Sequence, residues 1–265
     1  MEFSVLMSLF HKESPKYLDL SLNSIVTNTV QPSQVVFMID GPIGDELQQV
    51  VNKYKELYGF IETYQLPINM GLSNALNIGL RYCKKELVFR MDTDDICYQN
   101  RFETAIKKFD QDPELDLMGA YATMIDEEGN ESKLMTVPLT NKEIYKQVWT
   151  CPFIHPTVVF KKSKLERVGG YNPNSGPRQD DYELWFRCVS AGLKCANINE
   201  PLVYYRFFAE SILKNNIKVG WWRFKIGIIG SWKCKCPPIA YIGVIYPLVR
   251  SLMPLSIRKK VYSIR

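Results

Sequence analysis

Histidine occurs only twice in these 265 residues, at positions 11 and 155, and the cysteines do little to supply soft ligands in its place. Cys234-Lys-Cys236 has no histidine or further cysteine beside it, which makes a poor zinc site, and its thiols read as incidental. The seven cysteines form an odd, scattered set without a pairing framework, a pattern that suits a reducing compartment and leads us to expect a cytoplasmic protein. A basic segment followed by a long apolar one, the mark of a secretory leader, is missing at the start. No apolar run is long enough to span a bilayer: the longest charge-free one, Cys236–Val249, is too short and contains Pro247. Internal repeats and low-complexity tracts are absent, and with 46% apolar and 23% charged residues the composition excludes disorder as the default. The last absence is local. From Ser211 to Arg265 there is no Asp or Glu, while eleven of the 33 basic residues lie there. The remaining 22 face all 28 acids, so a mildly acidic body of residues 1–210 carries a strongly basic tail.

What is present in the body is an alternation of strands and helices. Phe3–Leu9 and Val35–Ile39 read as apolar strands, Phe60–Gln65 as a third strand and Leu87–Met91 as a fourth. Between them, Leu18, Leu22, Ile25 and Val26 and then Leu47, Val50, Val51, Tyr54 and Tyr58 recur at helical spacing, and a third helix runs from about Gly71 to Tyr82. The pattern predicts an α/β fold with a mostly parallel central sheet flanked by helices. Further on, Leu117–Ile125 and Lys133–Val137 read as a hairpin, and helices are expected over Asn141–Val148, Ser163–Val168 and Asp180–Ala191.

Parallel sheets bind ligands beyond the carboxyl ends of their strands. Ser8 and Phe10 follow the first strand, Asp40 the second, and Asp92, Asp94 and Asp95 the fourth. Four carboxylates brought to one rim repel each other unless a cation neutralises them. Oxygen-only ligands with so little histidine point to Mn²⁺ or Mg²⁺. The duller alternative, that Asp92-Thr-Asp-Asp95 caps a helix near Asn100, needs one aspartate and not three.

Taken in order, Val5-Leu-Met-Ser-Leu-Phe10, Ile39-Asp-Gly-Pro42, Asn69-Met-Gly-Leu-Ser-Asn-Ala-Leu-Asn-Ile-Gly79, Arg90-Met-Asp-Thr-Asp-Asp95, His155-Pro-Thr-Val158, Val168-Gly-Gly-Tyr171, Gln179-Asp-Asp-Tyr-Glu-Leu-Trp185 and Pro201-Leu-Val-Tyr-Tyr-Arg206 resemble the successive motifs of family 2 glycosyltransferases over about residues 3–212. The likeness is to bacterial enzymes that build O-antigen or capsule repeat units. The resemblance implies a GT-A fold (1–95 nucleotide-sugar-binding, 96–210 acceptor-binding) and a UDP-sugar donor. It further implies a saccharide acceptor on an undecaprenyl diphosphate lipid and inversion at the anomeric carbon. Position by position it implies that Ser8 and Phe10 line the base pocket, Asp40 accepts the uracil imide, and the helix after Gly71 closes over the nucleotide. Asp92 would face ribose or metal, Asp94 would bind the metal, and Asp95 would stand behind them. Asp181 becomes the candidate base, since an acceptor hydroxyl must lose its proton as it attacks. The family usually has Glu-Asp where this chain has Asp180-Asp181, and two adjacent acids raise at least one pKa. His155 falls near the donor diphosphate or acceptor by resemblance, with a structural role the alternative. Arg178 and Arg206 are phosphate candidates, with ion pairing the alternative.

The tail 211–265 holds Trp221, Trp222 and Trp232, apolar stretches, and Arg258-Lys-Lys260. Tryptophan beside lysine and arginine suits an anionic membrane surface, so interfacial helices and a peripheral place on the inner face of the cell membrane are expected. A helical subdomain packed on the body is the competing expectation. Nucleic acid is not expected, because the apolar runs fit a stacking groove badly. A nucleotidyltransferase normally brings a glycine-rich phosphate loop after the first strand, which Ser8-Leu-Phe-His-Lys12 does not supply. An inactive sugar-binding module has no need of Asp92, Asp94 and Asp181.

Overall fold

The computed structural model describes residues 1–208, 210–254 and 258, residue 212 by its backbone alone. The first half alternates as the pattern requires: β1 (Phe3–Leu9), α1 (Pro15–Val26), β2 (Gln34–Ile39), α2 (Asp45–Leu57), β3 (Ile61–Gln65), α3 (Leu72–Tyr82) and β4 (Leu87–Met91). Then come β5 (Ile96–Cys97), α4 (Arg101–Gln111), β6 (Leu117–Ile125), β7 (Glu131–Met135), α5 (Asn141–Lys146), β8 (Val159–Lys161), α6 (Lys162–Arg167), α7 (Asp180–Ser190) and β9 (Cys195–Arg206). The tail folds into α8 (Ser211–Lys214), α9 (Ile217–Lys233), α10 (Pro238–Gly243) and α11 (Tyr246–Leu252).

Among the described residues nine strands join one sheet in the order β3-β2-β1-β4-β8-β6-β9-β5, with β7 hairpinned on β6. Pairings β1–β2, β2–β3, β1–β4 and β6–β9 are parallel; β4–β8, β6–β8, β6–β7 and β5–β9 are antiparallel. The sheet is therefore mixed and not mostly parallel as expected. The short strand β8 reverses the direction after β4, and its three residues carry too little pattern to announce themselves in the sequence.

The strand residues alternate between two cores, as period-2 geometry demands. Val5, Met7 and Leu9 pack with Leu18, Leu22, Phe89 and Phe102 on one face, while Leu6, Val36, Met38 and Val88 pack with Leu76, Leu80 and Trp185 on the other. Each fully buried side chain of this size contributes roughly 1.5–3 kcal/mol, so the position of the sheet is heavily over-determined. Register then fixes the rim: Leu9 lies opposite Ile39, and Met7 opposite Met91. The segments that follow β1, β2 and β4 thus leave the sheet side by side.

The tail is folded onto the body. Gly227 and Gly230 of α9 face α7 closely enough that a Cβ would come within 2.9 Å of the Tyr182 hydroxyl at one position and within 2.3 Å of the Phe186 ring at the other. Trp222 lies over Gly176, whose φ of +83° already demands glycine. Of the tail aromatics, Trp222 is half-buried while Trp221 and Trp232 are 53% and 73% exposed. No helix among the described residues is long and apolar enough to cross a membrane. Of the basic run near the end, Arg258 donates to the carbonyls of Met253 and Asn215, while Lys259 and Lys260 lie outside the described residues.

Candidate functional site

β4 ends inside the protein and releases Asp92-Thr-Asp-Asp95 at the rim. Arg90, two residues earlier and 2% exposed, ion-pairs with Asp92. Asp95 is 1% exposed; its Oδ1 accepts the Arg206 amide at 2.7 Å, and its Oδ2 is buried without a hydrogen-bond partner. Arg206 completes this anchorage: Nε donates to the Asp94 carbonyl, Nη1 to the carbonyls of Asp126 and Glu127, and its guanidinium lies 4.2 Å over the Tyr17 ring. These contacts tie Arg206 to loop carbonyls and a ring rather than to the ion pair expected as its alternative role. The helix-cap alternative for the aspartates also fails, since α4 begins at Arg101 with Asn100 at its N-cap.

One carboxylate oxygen each from Asp92, Asp94 and Asp95 lies within 4.8 Å of the others. Burial and the neighbouring Asp92 push Asp94 up to about 7, and burial with Asp94 raises Asp95 well above the usual range. Glu13, from the segment after β1, joins them and is pushed up to about 8, first by burial and then by Asp94 and Asp92. Asp92, Asp94 and Asp95, the last with a buried, unpartnered oxygen, form an all-oxygen donor set that fits a divalent cation of the Mg²⁺ or Mn²⁺ kind.

Ser8 and Phe10 are half-buried at the end of β1, with Phe10 edge-on to His11 at 5.7 Å. Asp40, 3% exposed, accepts the amides of Met70 at 2.6 Å and Gly71 at 2.9 Å, which draws the start of α3 to the end of β2. Gly71 has φ +85° and no atom within 4 Å of where a Cβ would stand, so backbone conformation rather than crowding by the protein requires glycine.

Beyond this rim lies a cavity of about 1240 Å³ whose lining includes Arg90, Asp92, His155, Arg178, Asp180 and Asp181. The two adjacent acids open α7 but differ. Asp180 takes the hydroxyl of Ser73 from α3. Asp181 accepts the Tyr182 amide at 2.7 Å and faces the Cys151 thiol at 3.6 Å. Its pKa is raised chiefly by burial, against the opposing pull of Arg223 on α9. Arg178 is exposed on the lining with φ +60°. His155 shares a 2.9 Å hydrogen bond with the buried Tyr171 hydroxyl, and burial followed by Arg90 drives its pKa well down. It therefore stands there as a neutral imidazole.

The structure thus gathers Asp92, His155, Arg178, Asp180 and Asp181 round one cavity, while Ser8, Phe10, Asp40, Gly71, Asp94 and Asp95 are not among the residues that line it. Sequence reasoning passed over Glu13, Ser73, Cys151 and Arg223, and quoted Arg90 without a role. An arginine inside the apolar strand Leu87-Val-Phe-Arg-Met91 was the available signal for Arg90, and a carboxylate just after β1 was the signal for Glu13. Nothing local marks the other three.

The family model for glycosyl transferase family 2 matches residues 4–169. The amylovoran biosynthesis glycosyltransferase AmsE of Erwinia amylovora is 35% identical over 98% of this chain and 97% of its own length. A UDP-Gal:alpha-D-GlcNAc-diphosphoundecaprenol beta-1,3-galactosyltransferase of Escherichia coli is 36% identical over 79% of this chain and 76% of its own. S. aureus TarS residues 1–349 in complex with UDP-GlcNAc share the fold with a TM-score of 0.69 at 17% identity, covering 95% of this chain and 72% of that one. The mannosyltransferase PcManGT of Pyrobaculum calidifontis, in complex with GDP-Man and Mn²⁺, gives a TM-score of 0.65 at 16% identity, covering 99% and 79%.

Proposed function

The chain belongs to glycosyl transferase family 2 and is a glycosyltransferase, and on that premise we propose that it moves a hexose or N-acetylhexosamine from a UDP-sugar to a saccharide on a polyprenyl diphosphate lipid, with inversion, in O-antigen or capsule synthesis. The Escherichia coli relative, whose name joins a UDP-sugar to a diphosphoundecaprenol acceptor, supports both substrate classes. The observation that carries the reading is that Asp92 and Asp181 line one cavity, so a donor at the acidic rim and an acceptor at α7 can meet.

On the donor side, the half-buried Phe10 ring offers a stacking face for uracil and Ser8 a hydroxyl beside it. Asp40 fixes the 70–71 segment while keeping lone pairs for the base, since a carboxylate accepts more than two hydrogen bonds. Asp92, Asp94 and Asp95 would hold the cation, with Asp95 braced by Arg206. When bound, Mg²⁺ or Mn²⁺ supplies positive charge to the departing diphosphate, which removes the need for a protein acid there. On the acceptor side, the Asp181 carboxylate takes the proton of the acceptor hydroxyl. That oxygen bonds to the anomeric carbon as the bond from that carbon to the diphosphate oxygen breaks, a single displacement that inverts the centre. Asp180, occupied by Ser73, steadies the start of α7.

The tail supports a peripheral place on an anionic membrane. Ile239 and Ile242 are 58% and 69% exposed, Trp221 and Trp232 stand out beside lysines, and no acid accompanies them. Release of UDP from a panel of UDP-sugars, assayed with a synthetic diphospholipid acceptor with and without Mn²⁺, tests the reading. Acceptor-dependent, Mn²⁺-dependent release is expected; release that ignores both overturns it.

A further inference from the structure

Part of the cavity wall is built by the tail. Val219, Gly220 and Arg223 of α9, Val244 after α10, and Tyr246, Pro247 and Arg250 of α11 line it. Two arginines and no carboxylate stand on that wall, because the chain from Ser211 onward contains none. We propose that Arg223 and Arg250 bind the diphosphate of the lipid acceptor, so that the tail seats the acceptor with its sugar before Asp181. The assignment rests on the acceptor class given above.

Arg223 is prepared for such a ligand. Its guanidinium stands over the Tyr182 ring at 4.0 Å, and its five-donor fork, which already serves the Cys151 side chain, has further N–H groups for a ligand. One edge is turned to the Cys151 and Asp181 side, one residue from Tyr182, so an oxyanion held by Arg223 lies close to the proposed base. The position is set by packing. Residues 223, 227 and 230 fall on one helical stripe, and Gly227 and Gly230 let α9 rest directly on α7. Arg250 is brought to the same wall by a second close approach, in which a Cβ on Gly220 would meet the Ser251 side chain at 2.6 Å. Arginine presents a fork of donors matched to phosphate oxygens, and two forks from two helices suit two adjoining phosphates. The donor's own diphosphate belongs to the acidic cluster of Asp92, Asp94 and Asp95, of which Asp92 reaches the cavity. The exposed apolar residues of the same helices place lipid where the acceptor's polyprenyl chain would run.

The test compares initial rates of the full chain in neutral detergent with two acceptors: N-acetylglucosaminyl-diphospho-undecane, and undecyl N-acetylglucosaminide, which lacks the diphosphate. Wild type should prefer the first strongly in kcat/KM. Arg223→Gln and Arg250→Gln should each cut that preference by about 10- to 30-fold, chiefly through KM for the diphosphate acceptor, as loss of a charged hydrogen-bonding group does. Arg223→Lys, keeping the charge without the fork, should retain an intermediate preference. Equal losses with both acceptors would show that the arginines serve only the fold or the base, and overturn the assignment. So would unchanged preference. A defect that appears only on anionic vesicles would assign the arginines to bilayer headgroups instead. Failure of wild type to use any diphosphate acceptor would overturn the acceptor class, and this site with it.

Discussion

The wall that carries Asp92 and the wall that carries Arg223 face one cavity but are put together differently. The first is made by strand ends: each acid follows an apolar run, and the pairing of Leu9 with Ile39 and Met7 with Met91 brings the runs to a common edge. Its chemistry is written in short, contiguous stretches. The second is made by helix packing, in which glycines of α9 admit Tyr182 and Phe186 and thereby carry an arginine to a base about forty positions earlier. The body brings Asp92, Asp180 and Asp181 to the cavity, with Arg90 paired to Asp92, while the tail brings arginines and no acids. The proposed transfer, from a metal-held leaving group to an anionic lipid acceptor, would use that asymmetry.

Five measurements break or sharpen the contrast. Between the walls, Asp181→Asn should lower kcat by about 1,000-fold, the scale of a lost general base, with little change in donor KM. Asp180→Asn should fall well short of that, and equal effects would deny Asp181 its special place. On the acidic wall, Asp94→Asn should cost about 100-fold in turnover and abolish Mn²⁺-dependent UDP binding in a calorimeter; full activity in excess chelator would remove the cation from that wall. On the outer side of the basic wall, the double change Trp232→Ser, Ile242→Ser should weaken partition onto anionic vesicles by about 10-fold or more in sedimentation, and undiminished binding would place the membrane contact elsewhere. Gly230→Ala forces a Cβ against Phe186 and should destabilise the chain by about 1–3 kcal/mol as overpacking does. An unchanged melting temperature would mean that α9 is not held against α7. The smallest effect concerns pH. Asp181 must be ionised to accept a proton, and burial raises its pKa, so kcat should climb with pH through a midpoint above that of an ordinary aspartate. Among the groups that face it, Asp180 opposes ionisation, while Arg223, the Tyr182 amide and the Cys151 thiol favour it. Removing the cation in Arg223→Gln therefore moves the midpoint further up, and a downward move would contradict the geometry.

The same contrast explains what could be read from the chain alone. β1, β2 and β4 and the helices around them follow the apolar pattern to within a few residues, because a buried parallel strand must be largely apolar, while β3 at the sheet edge is mostly half-buried. β9 was seen only as the motif Pro201–Arg206, since Cys195-Ala-Asn-Ile-Asn-Glu interleaves polar residues and its pairing with β6 shifts register at Pro201. The aspartates of the rim were legible because a cluster of acids after a strand is costly without a purpose. The choice between Asp180 and Asp181 was not, for it depends on Ser73 and Arg223, residues of α3 and α9 that only the tertiary fold brings there. The tail announced its charge, and its exposed tryptophans fit a surface role. That the same helices also complete the cavity depends on glycine contacts, and glycine carries no pattern of its own.

Those glycine contacts bear on anyone who would re-engineer the enzyme. With no side chains between α9 and α7 at Gly227 and Gly230, the terminal segment cannot roll or be exchanged as a removable plug. A chimera that grafts a foreign segment after residue 210 would open one side of the cavity, unless the graft keeps arginine four residues before the first glycine and seven before the second.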